Sequence, residues 1–166
     1  MRDAIGAPAD TPLIVADAGD AASLKAMLAQ TKSVISTVGP YQLYGNELIA
    51  ACVESGTDYF DLCGEPVWMR QMIDKHEAAA KASGARIVFS CGFDSVPFEL
   101  GTFFVQEEAK RVFGAPAARV KGRVRDMRGT LSGGTAASAK ATFDAVAKDL
   151  SLVAILNNPF ALTPGF

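Results

Sequence analysis

The residues of this sequence that could do chemistry lie in segments that directly follow apolar runs. These segments are Thr37-Val38-Gly39-Pro40-Tyr41, Cys63-Gly64-Glu65 and Cys91-Gly92-Phe93-Asp94-Ser95. A thiol becomes a nucleophile when its pKa is lowered, and a carboxylate can transfer a proton. A glycine lets a bound molecule approach the backbone closely, because it has no Cβ. We therefore treat these segments as the candidate site and turn to the elements that must position them.

The apolar runs alternate with stretches of helical periodicity. Short runs bounded by turn residues predict four strands, at residues 13–17, 34–38, 58–62 and 86–90. Asp20 is expected to cap the first helix and Pro66 to open the third, while Gly56 and Gly84 are typical left-handed helix stops. This alternation predicts a parallel sheet covered on both faces, that is, a doubly wound α/β fold.

The pattern changes after Cys91, and we place a domain boundary near residues 92–96. Asp94 or Ser95 is expected to cap a long helix there. Residues 118–127 then alternate between apolar or small side chains and basic ones, which predicts a half-exposed strand of an antiparallel sheet. A glycine-rich turn leads into a last long helix. The C-terminal segment is therefore expected to be organised differently from the N-terminal one.

Charge and composition exclude several classes of protein. Residues 1–100 carry 7 basic and 13 acidic side chains, and residues 101–166 carry 9 basic and 5 acidic ones. This asymmetry suggests two units with different roles, but it is too small to indicate nucleic-acid binding. No run of about 18 apolar residues occurs, so no transmembrane segment is expected.

The cysteine and histidine counts bear on location and on metal binding. The three cysteines form no C-x-x-C pair, which argues against a disulfide framework and favours a reducing, cytoplasmic location. His76, the single histidine, lies on the apolar stripe of a predicted helix. We therefore expect His76 to have a structural role. No Ser-His-Asp triad is recognisable in the sequence, and we predict no metal site.

Strand ends are where open α/β sheets bind ligands. Asp17 ends the first predicted strand and could accept a hydrogen bond from an adenine amino group; equally, it could be a polar strand end or belong to a helix cap. Gly39 would let the backbone approach a ribose or nicotinamide, and Pro40 would stiffen that approach. However, Gly-Pro also simply terminates strands, so the motif is weak by itself.

Cys63 and Glu65 precede a predicted helix that begins at Pro66. A thiol beside a helix N-terminus can have a lowered pKa, although a small buried thiol is the more common role of such a cysteine. Glu65 could be reactive, or it could be a favourable negative charge at the helix start. The sequence does not choose between these two roles for Glu65.

Two features of the C-terminal segment could attract an anion. Arg119, Lys121, Arg123 and Arg125 share one face of the predicted strand and could bind an acidic group, although such a face is more often only solvated. The motif Ser132-Gly133-Gly134-Thr135, at a predicted helix start, could bind an anion through free N–H groups. It could equally be an ordinary helix cap.

Together these motifs resemble the saccharopine dehydrogenase-like oxidoreductases, and most closely the subgroup that includes the trans-acting enoyl reductases. The resemblance covers nearly the whole chain. The motifs that carry it are Thr37 to Tyr41 with Gly45, Cys52 to Glu65, Cys91 to Pro97 with Leu100-Gly101, and Ser132 to Thr135. Each motif is common by itself, whereas the combination is fairly specific.

The resemblance implies a Rossmann-like domain that binds NAD or NADP, with NADP slightly favoured, and a following α+β domain that shapes the substrate site and often mediates pairing. Residues 1–93 would be the C-terminal portion of the first domain, and residues 94–166 the beginning of the second. The implied cofactor-binding residues are Asp17, Ala18, Thr37, Val38, Gly39, Pro40, Tyr41, Cys63 and Gly64. Glu65, Asp94 and Ser95 would face the substrate, and no catalytic residue is assigned.

The sequence departs from the family pattern in one large respect. No G-x-G-x-x-G motif follows a strand in the 166 residues, so the family's first β-α-β unit, with its pyrophosphate site, would precede residue 1. The segment Pro164-Gly165-Phe166 would then lie inside the second domain. We therefore expect a fragment of a longer enzyme, inactive as isolated, with an open sheet edge that favours self-association.

The leading functional hypothesis is an oxidoreductase that transfers a hydride between NAD(P) and an unidentified small-molecule or lipid-like substrate. We expect a cytoplasmic homo-oligomer that binds no nucleic acid. The alternative from another class is a non-catalytic Rossmann-like domain that serves protein–protein contact. A third hypothesis is a hydrolase or transferase that uses Cys63 as its nucleophile.

Overall fold

A parallel β-sheet forms the centre of the computed structural model, which describes residues 2–164. Its strands are β1 (Ser33–Ser36), β2 (Asp58–Asp61) and β3 (Ile87–Val88), in the spatial order β1-β2-β3. Ser33 is paired with Asp58, and Tyr59 with Ile87. The predicted partial Rossmann-like α/β architecture is confirmed. Residues 1, 165 and 166 lie outside the described range, and with them most of the Pro164-Gly165-Phe166 segment.

Helices connect and follow these strands. They are α1 (Ala21–Leu28), α2 (Tyr41–Tyr44), α3 (Asn46–Ser55), α4 (Pro66–Ser83), α5 (Val96–Phe113), α6 (Gly133–Lys148) and α7 (Val153–Asn157), with 3-10 turns at Asp3–Ile5 and Leu150–Leu152. The Asp20 carboxylate accepts a 2.9 Å hydrogen bond from the Ala22 N–H at the start of α1. Gly56 and Gly84 end α3 and α4 with φ values of 70° and 81°. These predicted caps and stops are confirmed.

The core lies between the sheet and one layer of helices. Ile49 and Cys52 of α3 and Tyr59 of β2 are completely buried, and Trp68 of α4 is nearly so. The Trp68 ring stacks on Tyr41 at a centroid distance of 5.6 Å and meets the edge of Phe89 at 5.5 Å. The cluster thus joins the turn after β1, the second strand and α4 into one packed unit.

The prediction that the sheet is covered on both faces is wrong for the described residues. Ile35, Phe60 and Val88 are register neighbours across the three strands, and Ile35 and Val88 are exposed. The cause is the handedness of the crossovers, which places successive helices on the same face. Accordingly, α3 contacts both α1 and α4, and this layer covers only the opposite face.

The strand predicted at residues 13–17 is absent. This segment makes no ladder, and its Leu13 and Val15 side chains are strongly exposed. In the common doubly wound strand order 3-2-1-4-5-6, the third strand does not neighbour the fourth. If residues 13–17 correspond to the third strand and β1 to the fourth, as the family resemblance implies, residues 13–17 would not pair with β1, and they have no partner among the described strands. An apolar run of this kind needs a neighbouring strand before it becomes a strand itself.

The strand predicted at residues 118–127 is also absent, and the segment is largely exposed and irregular. It is tethered at its start, where the Gln106 side-chain amide of α5 bonds both the N–H and the carbonyl of Ala117, at 2.7 and 3.0 Å. Alternating polarity predicts a strand only when another strand can complete the ladder. No antiparallel partner exists within residues 2–164.

Smaller corrections concern element lengths. The fourth predicted strand shortens to Ile87–Val88, because Ser90 adopts a left-handed φ of 60°. The last helix, expected to reach about residue 153, ends at Lys148, and a 3-10 turn separates it from α7. Asp149 causes the break, since its carboxylate accepts a hydrogen bond from the Ser151 N–H at 2.9 Å. Ser95 precedes α5, but neither it nor Asp94 makes the predicted side-chain cap.

Gly45 leads to a test of the packing around Trp68. An ideal Cβ on Gly45 would lie 2.5 Å from Trp68 Cζ2 and 2.8 Å from the Tyr41 carbonyl oxygen, so Gly45→Ala forces the core apart. We expect a loss of about 1–3 kcal/mol in the free energy of unfolding, measured by urea denaturation. Gly101→Ala is the control, since nothing lies within 4 Å of its Cβ. Equal stability of the two variants would contradict this packing.

Candidate functional site

A cleft of about 620 Å³ lies between the carboxyl ends of β1 and β2 and one face of α6. It contains five of the predicted site residues: Thr37, Gly39, Tyr41, Gly64 and Asp94. Other lining residues are Leu62, Pro66, Ser132, Gly134, Thr135, Ser138, Ala139, Thr142, Phe143 and Leu156. The sheet edge that the sequence indicated is therefore a concave surface, and α6 forms its second wall.

The remaining predicted site residues lie outside the cleft lining. Pro40, Cys63 and Glu65 are buried behind it, Val38 is exposed, and Ser95 lines a neighbouring shallow groove with Cys91. Asp17 and Ala18 precede α1. The Asp17 carboxylate accepts a 2.8 Å hydrogen bond from the Gly19 N–H, and the Asp17 N–H donates to Ser23 Oγ at 2.8 Å. This is the geometry of a capping turn, and the adenine contact stays a prediction.

The carboxylate of Glu65 is the most highly bonded group behind the cleft. Its Oε1 accepts hydrogen bonds from the Tyr41 N–H at 2.8 Å and from Ser138 Oγ at 2.7 Å. Its Oε2 accepts hydrogen bonds from the Gln42 N–H and from Gln42 Nε2, both at 3.0 Å. Glu65 is only 2% exposed, and all its bonds are to this chain. It therefore holds the turn after β1 and does not line the cleft.

A second buried carboxylate, Asp61, joins the ends of β2 and β3. Its Oδ1 accepts from the Cys63 and Ser90 N–H groups at 3.0 and 2.9 Å, and its Oδ2 accepts from the Tyr59 hydroxyl at 2.9 Å. Ser90 Oγ in turn donates to the Cys63 carbonyl at 2.7 Å. Burial raises the pKa of Asp61, and these hydrogen bonds offset some of that effect. The floor of the cleft is therefore fixed by side-chain bonds beyond the short β2–β3 ladder.

The Tyr41 side chain anchors the turn after β1 to the end of that strand and to α4. Its hydroxyl donates to the Ser36 carbonyl at 3.1 Å, its ring stacks on Trp68, and it is 4% exposed. Burial raises its pKa to about 12, so the phenol stays protonated at neutral pH. Trp68 is held by a 2.8 Å bond from its Nε1 to Asn46 Oδ1. The Gly39–Pro40 peptide, which is cis, is thus followed by a rigid aromatic support.

Cys63 does not have the environment of a nucleophile. Its side chain is 2% exposed, and burial raises the pKa of its thiol, whereas a reactive thiol needs a lowered pKa and access. Its Sγ accepts a 3.3 Å hydrogen bond from the Glu65 N–H. The interpretation of Cys63 as a small buried thiol agrees with this geometry, and the hypothesis of a Cys63-dependent hydrolase or transferase gains no support.

The other residues considered from sequence have ordinary roles here. Ser132 Oγ accepts from the Thr135 N–H at 3.1 Å and so caps α6. His76 is half-buried on α4 beside an apolar groove, and burial lowers its pKa. The basic side chains of residues 119–125 belong to the irregular exposed segment. In the portion of the chain that the structure describes, no cluster of three His, Cys, Asp or Glu side chains could hold a metal ion.

Sequence reasoning missed three residues that complete this site: Gln42, Ser138 and Thr142. Gln42 Nε2 donates to Glu65 and also to Thr142 Oγ1, the latter at 3.3 Å. One signal was available, since Thr135, Ser138 and Thr142 are spaced i, i+3 and i+7 in an alanine-rich helix and so share a face. A polar stripe on such a helix indicates a polar neighbour.

Comparison with known proteins assigns the N-terminal segment of the chain. Residues 10–88 match the saccharopine dehydrogenase NADP binding domain. This segment belongs to the saccharopine dehydrogenase-like family. The predicted family and the NAD(P) character of its domain are confirmed, and the matched description specifies NADP. The described residues include no helix that is long and apolar enough to cross a membrane.

Relatives are found among mycobacterial proteins. The chain is 41% identical over 165 residues to the Mycobacterium tuberculosis protein named Putative trans-acting enoyl reductase Rv2449c, covering 99% of this chain and 39% of that protein. It is 37% identical to a trans-acting enoyl reductase of Mycobacterium ulcerans, with 98% and 40% covered. A trans-acting enoyl reductase of Mycobacterium leprae is 52% identical over 94 residues, covering 57% of this chain and 22% of that protein.

The chain thus spans about two fifths of the length of the first two relatives. No solved structure matches the chain significantly. The resemblance to the trans-acting enoyl reductase subgroup, predicted from the motifs at residues 37–65, 91–101 and 132–135, is confirmed by these relatives.

The buried carboxylate Asp61 predicts an unusual pH dependence. Because its pKa is raised in the folded protein, the folded state binds this proton more tightly than the unfolded state does, and stability falls as the pH rises above the unfolded pKa of about 4. Asp61→Asn removes this titration while keeping an acceptor for both N–H groups. We expect the difference in unfolding free energy, variant minus wild type, to increase from pH 4 to pH 7 in urea titrations.

Asp58→Asn is the matched control with the opposite sign. The bond from Arg86 lowers the pKa of Asp58, so its stabilising contribution is present above about pH 4 and lost as the pH falls. The difference for Asp58→Asn should therefore become more negative as the pH rises from about 3 to about 5, and it should change little from there to pH 7. Parallel slopes for the two variants would contradict the environment described for Asp61.

The thiols provide a second test. Cys52 and Cys63 are buried, with the pKa of Cys52 raised to about 12, whereas Cys91 is exposed. We expect one of the three thiols to react rapidly with Ellman's reagent in the native protein, and all three to react in denaturant. Cys91→Ser should abolish the fast phase. A fast phase that survives in this variant would show that Cys63 or Cys52 is reactive.

Proposed function

We propose that this chain carries the nicotinamide-facing portion of an NADP-dependent oxidoreductase and that the cleft receives the nicotinamide and its ribose. The supporting observation is that predicted cofactor residues from two strand ends, Thr37, Gly39 and Gly64, line one cleft. All three residues lie within the segment, residues 10–88, that matches an NADP binding domain. Ligands of open α/β sheets bind at this edge, and the cleft volume lies within the usual range for such sites.

The residues present fit a flat ring and a sugar. An ideal Cβ on Gly64 would meet no atom within 4 Å, and one on Gly39 would make only ordinary contacts, the nearest 3.5 Å from the Tyr41 ring. Both positions therefore expose backbone and open space to the cleft. Thr37 supplies a hydroxyl at the end of β1. A bound nicotinamide would supply the hydride, while these residues bind and orient it.

The substrate is proposed from the names of the relatives. They are called trans-acting enoyl reductases, so we propose an enoyl group, a carbon–carbon double bond conjugated to a carbonyl, as the hydride acceptor. Asp94 and Tyr41 are the ionisable side chains that line the cleft within residues 2–164. Tyr41 is engaged with Ser36, which leaves Asp94 as the exposed carboxylate facing a bound molecule.

The division of the chain is proposed at the same time. We assign residues 1–93 to the Rossmann-like domain and residues 94–166 to the beginning of the substrate and pairing domain. We further propose that the functional protein pairs with a second copy through this second domain. A non-catalytic interaction domain is disfavoured, because the relatives carry enzyme names and the strand-end edge of the sheet forms a cleft.

The test uses the two halves of the cofactor separately. Nicotinamide mononucleotide should shift the amide NMR signals of Thr37, Gly39 and Gly64, whereas adenosine 2′,5′-bisphosphate should leave them unchanged. Because this sequence has no G-x-G-x-x-G loop to bind the pyrophosphate, NADPH should bind within about tenfold of the mononucleotide, a difference of about 1.4 kcal/mol. Gly64→Val, which fills the open space of the cleft, should lower both affinities about tenfold or more.

Gly101→Ala serves again as the control and should bind like the wild type. Shifts confined to residues outside the cleft, or an unchanged affinity in Gly64→Val, would overturn the proposed site. Absence of any binding of either nicotinamide compound would overturn the proposed function for this chain. Micromolar affinity for NADPH would contradict the expectation that the isolated chain binds the dinucleotide weakly.

A further inference from the structure

A polar cluster connects α6 to the turn after β1, across the back of the cleft. It consists of Gln42, Glu65, Ser138 and Thr142, and we call it the clasp. Ser138 Oγ donates to Glu65 Oε1 at 2.7 Å, and Gln42 Nε2 donates to both Glu65 Oε2 and Thr142 Oγ1. Two helices that are distant in sequence are therefore joined through one carboxylate.

The same carboxylate fixes the backbone of the turn. The Tyr41 and Gln42 N–H groups, the first two of α2, point at its two oxygens. Tyr41, which carries one of these amides, lines the cleft, and so does Gly39, two residues earlier in the chain. The position of the Glu65 carboxylate thus determines where the backbone of the cleft wall lies, and a shift of the carboxylate would move that wall.

Ser138 supplies a donor to this carboxylate from the opposite wall. Without it, a carboxylate that is 2% exposed would lose one of its four donors, and solvent has little access to replace it. Ser138 itself lies on the cleft-facing stripe of α6 with Thr135 and Thr142. The Thr142 hydroxyl also donates to the Ser138 carbonyl at 3.0 Å, so the two clasp residues of α6 support each other.

We infer that Ser138 is a positioning residue that, through Glu65, sets the conformation of the turn formed by residues 39–42 and so couples α6 to occupancy of the cleft. This inference rests on the proposed function for the identity of the ligand, and on the hydrogen bonds alone for the coupling. Since coupling between two sites is reciprocal, a nicotinamide bound against the turn should also order α6.

The experiment measures hydrogen exchange in the ligand-free chain and mononucleotide affinity in parallel. Ser138→Ala should raise the exchange rates of the Tyr41 and Gln42 amides about tenfold, corresponding to a loss of about 1.4 kcal/mol in local protection. The Tyr59 amide in the sheet should be unchanged. Ser138→Thr keeps the hydroxyl and should restore slow exchange. Thr102→Ala, an exposed mid-helix change on α5, is the control and should match the wild type.

Affinity for nicotinamide mononucleotide should fall about fivefold to tenfold in Ser138→Ala and recover in Ser138→Thr. The binding of the mononucleotide to the wild type should, in turn, slow exchange in α6. Binding without this slowing would overturn the coupling.

Two further outcomes would overturn the positioning role. One is unchanged exchange at Tyr41 and Gln42 in Ser138→Ala. The other is an equal increase at Tyr59, which would mean that Ser138 only stabilises the whole fold. If the wild type binds no mononucleotide while the exchange response is as expected, the proposed function fails and the positioning of the turn by Ser138 stands. The two hypotheses are therefore separable.

Discussion

The cleft depends on a single buried carboxylate with four donors. Charged hydrogen bonds of this kind are stronger than neutral ones, and burial makes the loss of any donor strongly destabilising because solvent cannot take its place. Glu65 receives donors from α2 and α6 while it leads directly into α4. Both walls of the cleft are therefore held by one fixed group, and the turn after β1 needs no bound ligand to be held in place.

Asp61, shortly before Glu65 in the chain, has a parallel role. It holds the end of β3 against β2, where the ladder itself is only two residues long. The left-handed Ser90 directs its N–H to this carboxylate. Where the ladder between β2 and β3 stops, hydrogen bonds to the Asp61 side chain take the place of further ladder bonds. The buried carboxylates Asp61 and Glu65 thus make the floor of the cleft rigid.

The sequence predicted local features well, for a physical reason. Asp20, Gly56 and Gly84 act on the backbone within a few residues, so their effect can be read from the residues themselves. The predictions of strands at residues 13–17 and 118–127 were wrong because a strand forms only beside a partner strand. The residues of the segment itself do not show whether such a partner exists. The prediction that helices cover both faces of the sheet was wrong for a similar reason. Covering the second face requires helices connected to further strands, and the local pattern of residues does not reveal them.

The candidate site divides in the same way. Gly39 and Gly64 were identified because strand ends converge in any parallel sheet. Gln42 and Ser138 were missed because their importance comes from Glu65, which lies 23 and 73 residues away in sequence. Buried acids at a strand end, such as Asp61 and Glu65, are the general signal that distant donors must converge there.

That convergence has a consequence for the order of folding. Ser138, one donor of Glu65, lies 73 residues away in sequence, whereas α1, α3 and α4 follow one another along the chain. Closing a longer loop slows the formation of a contact, so the layer of α1, α3 and α4 can assemble first. The Glu65 carboxylate would then lack its Ser138 donor until late in folding, and the α6 wall of the cleft would be set after the strand-end wall.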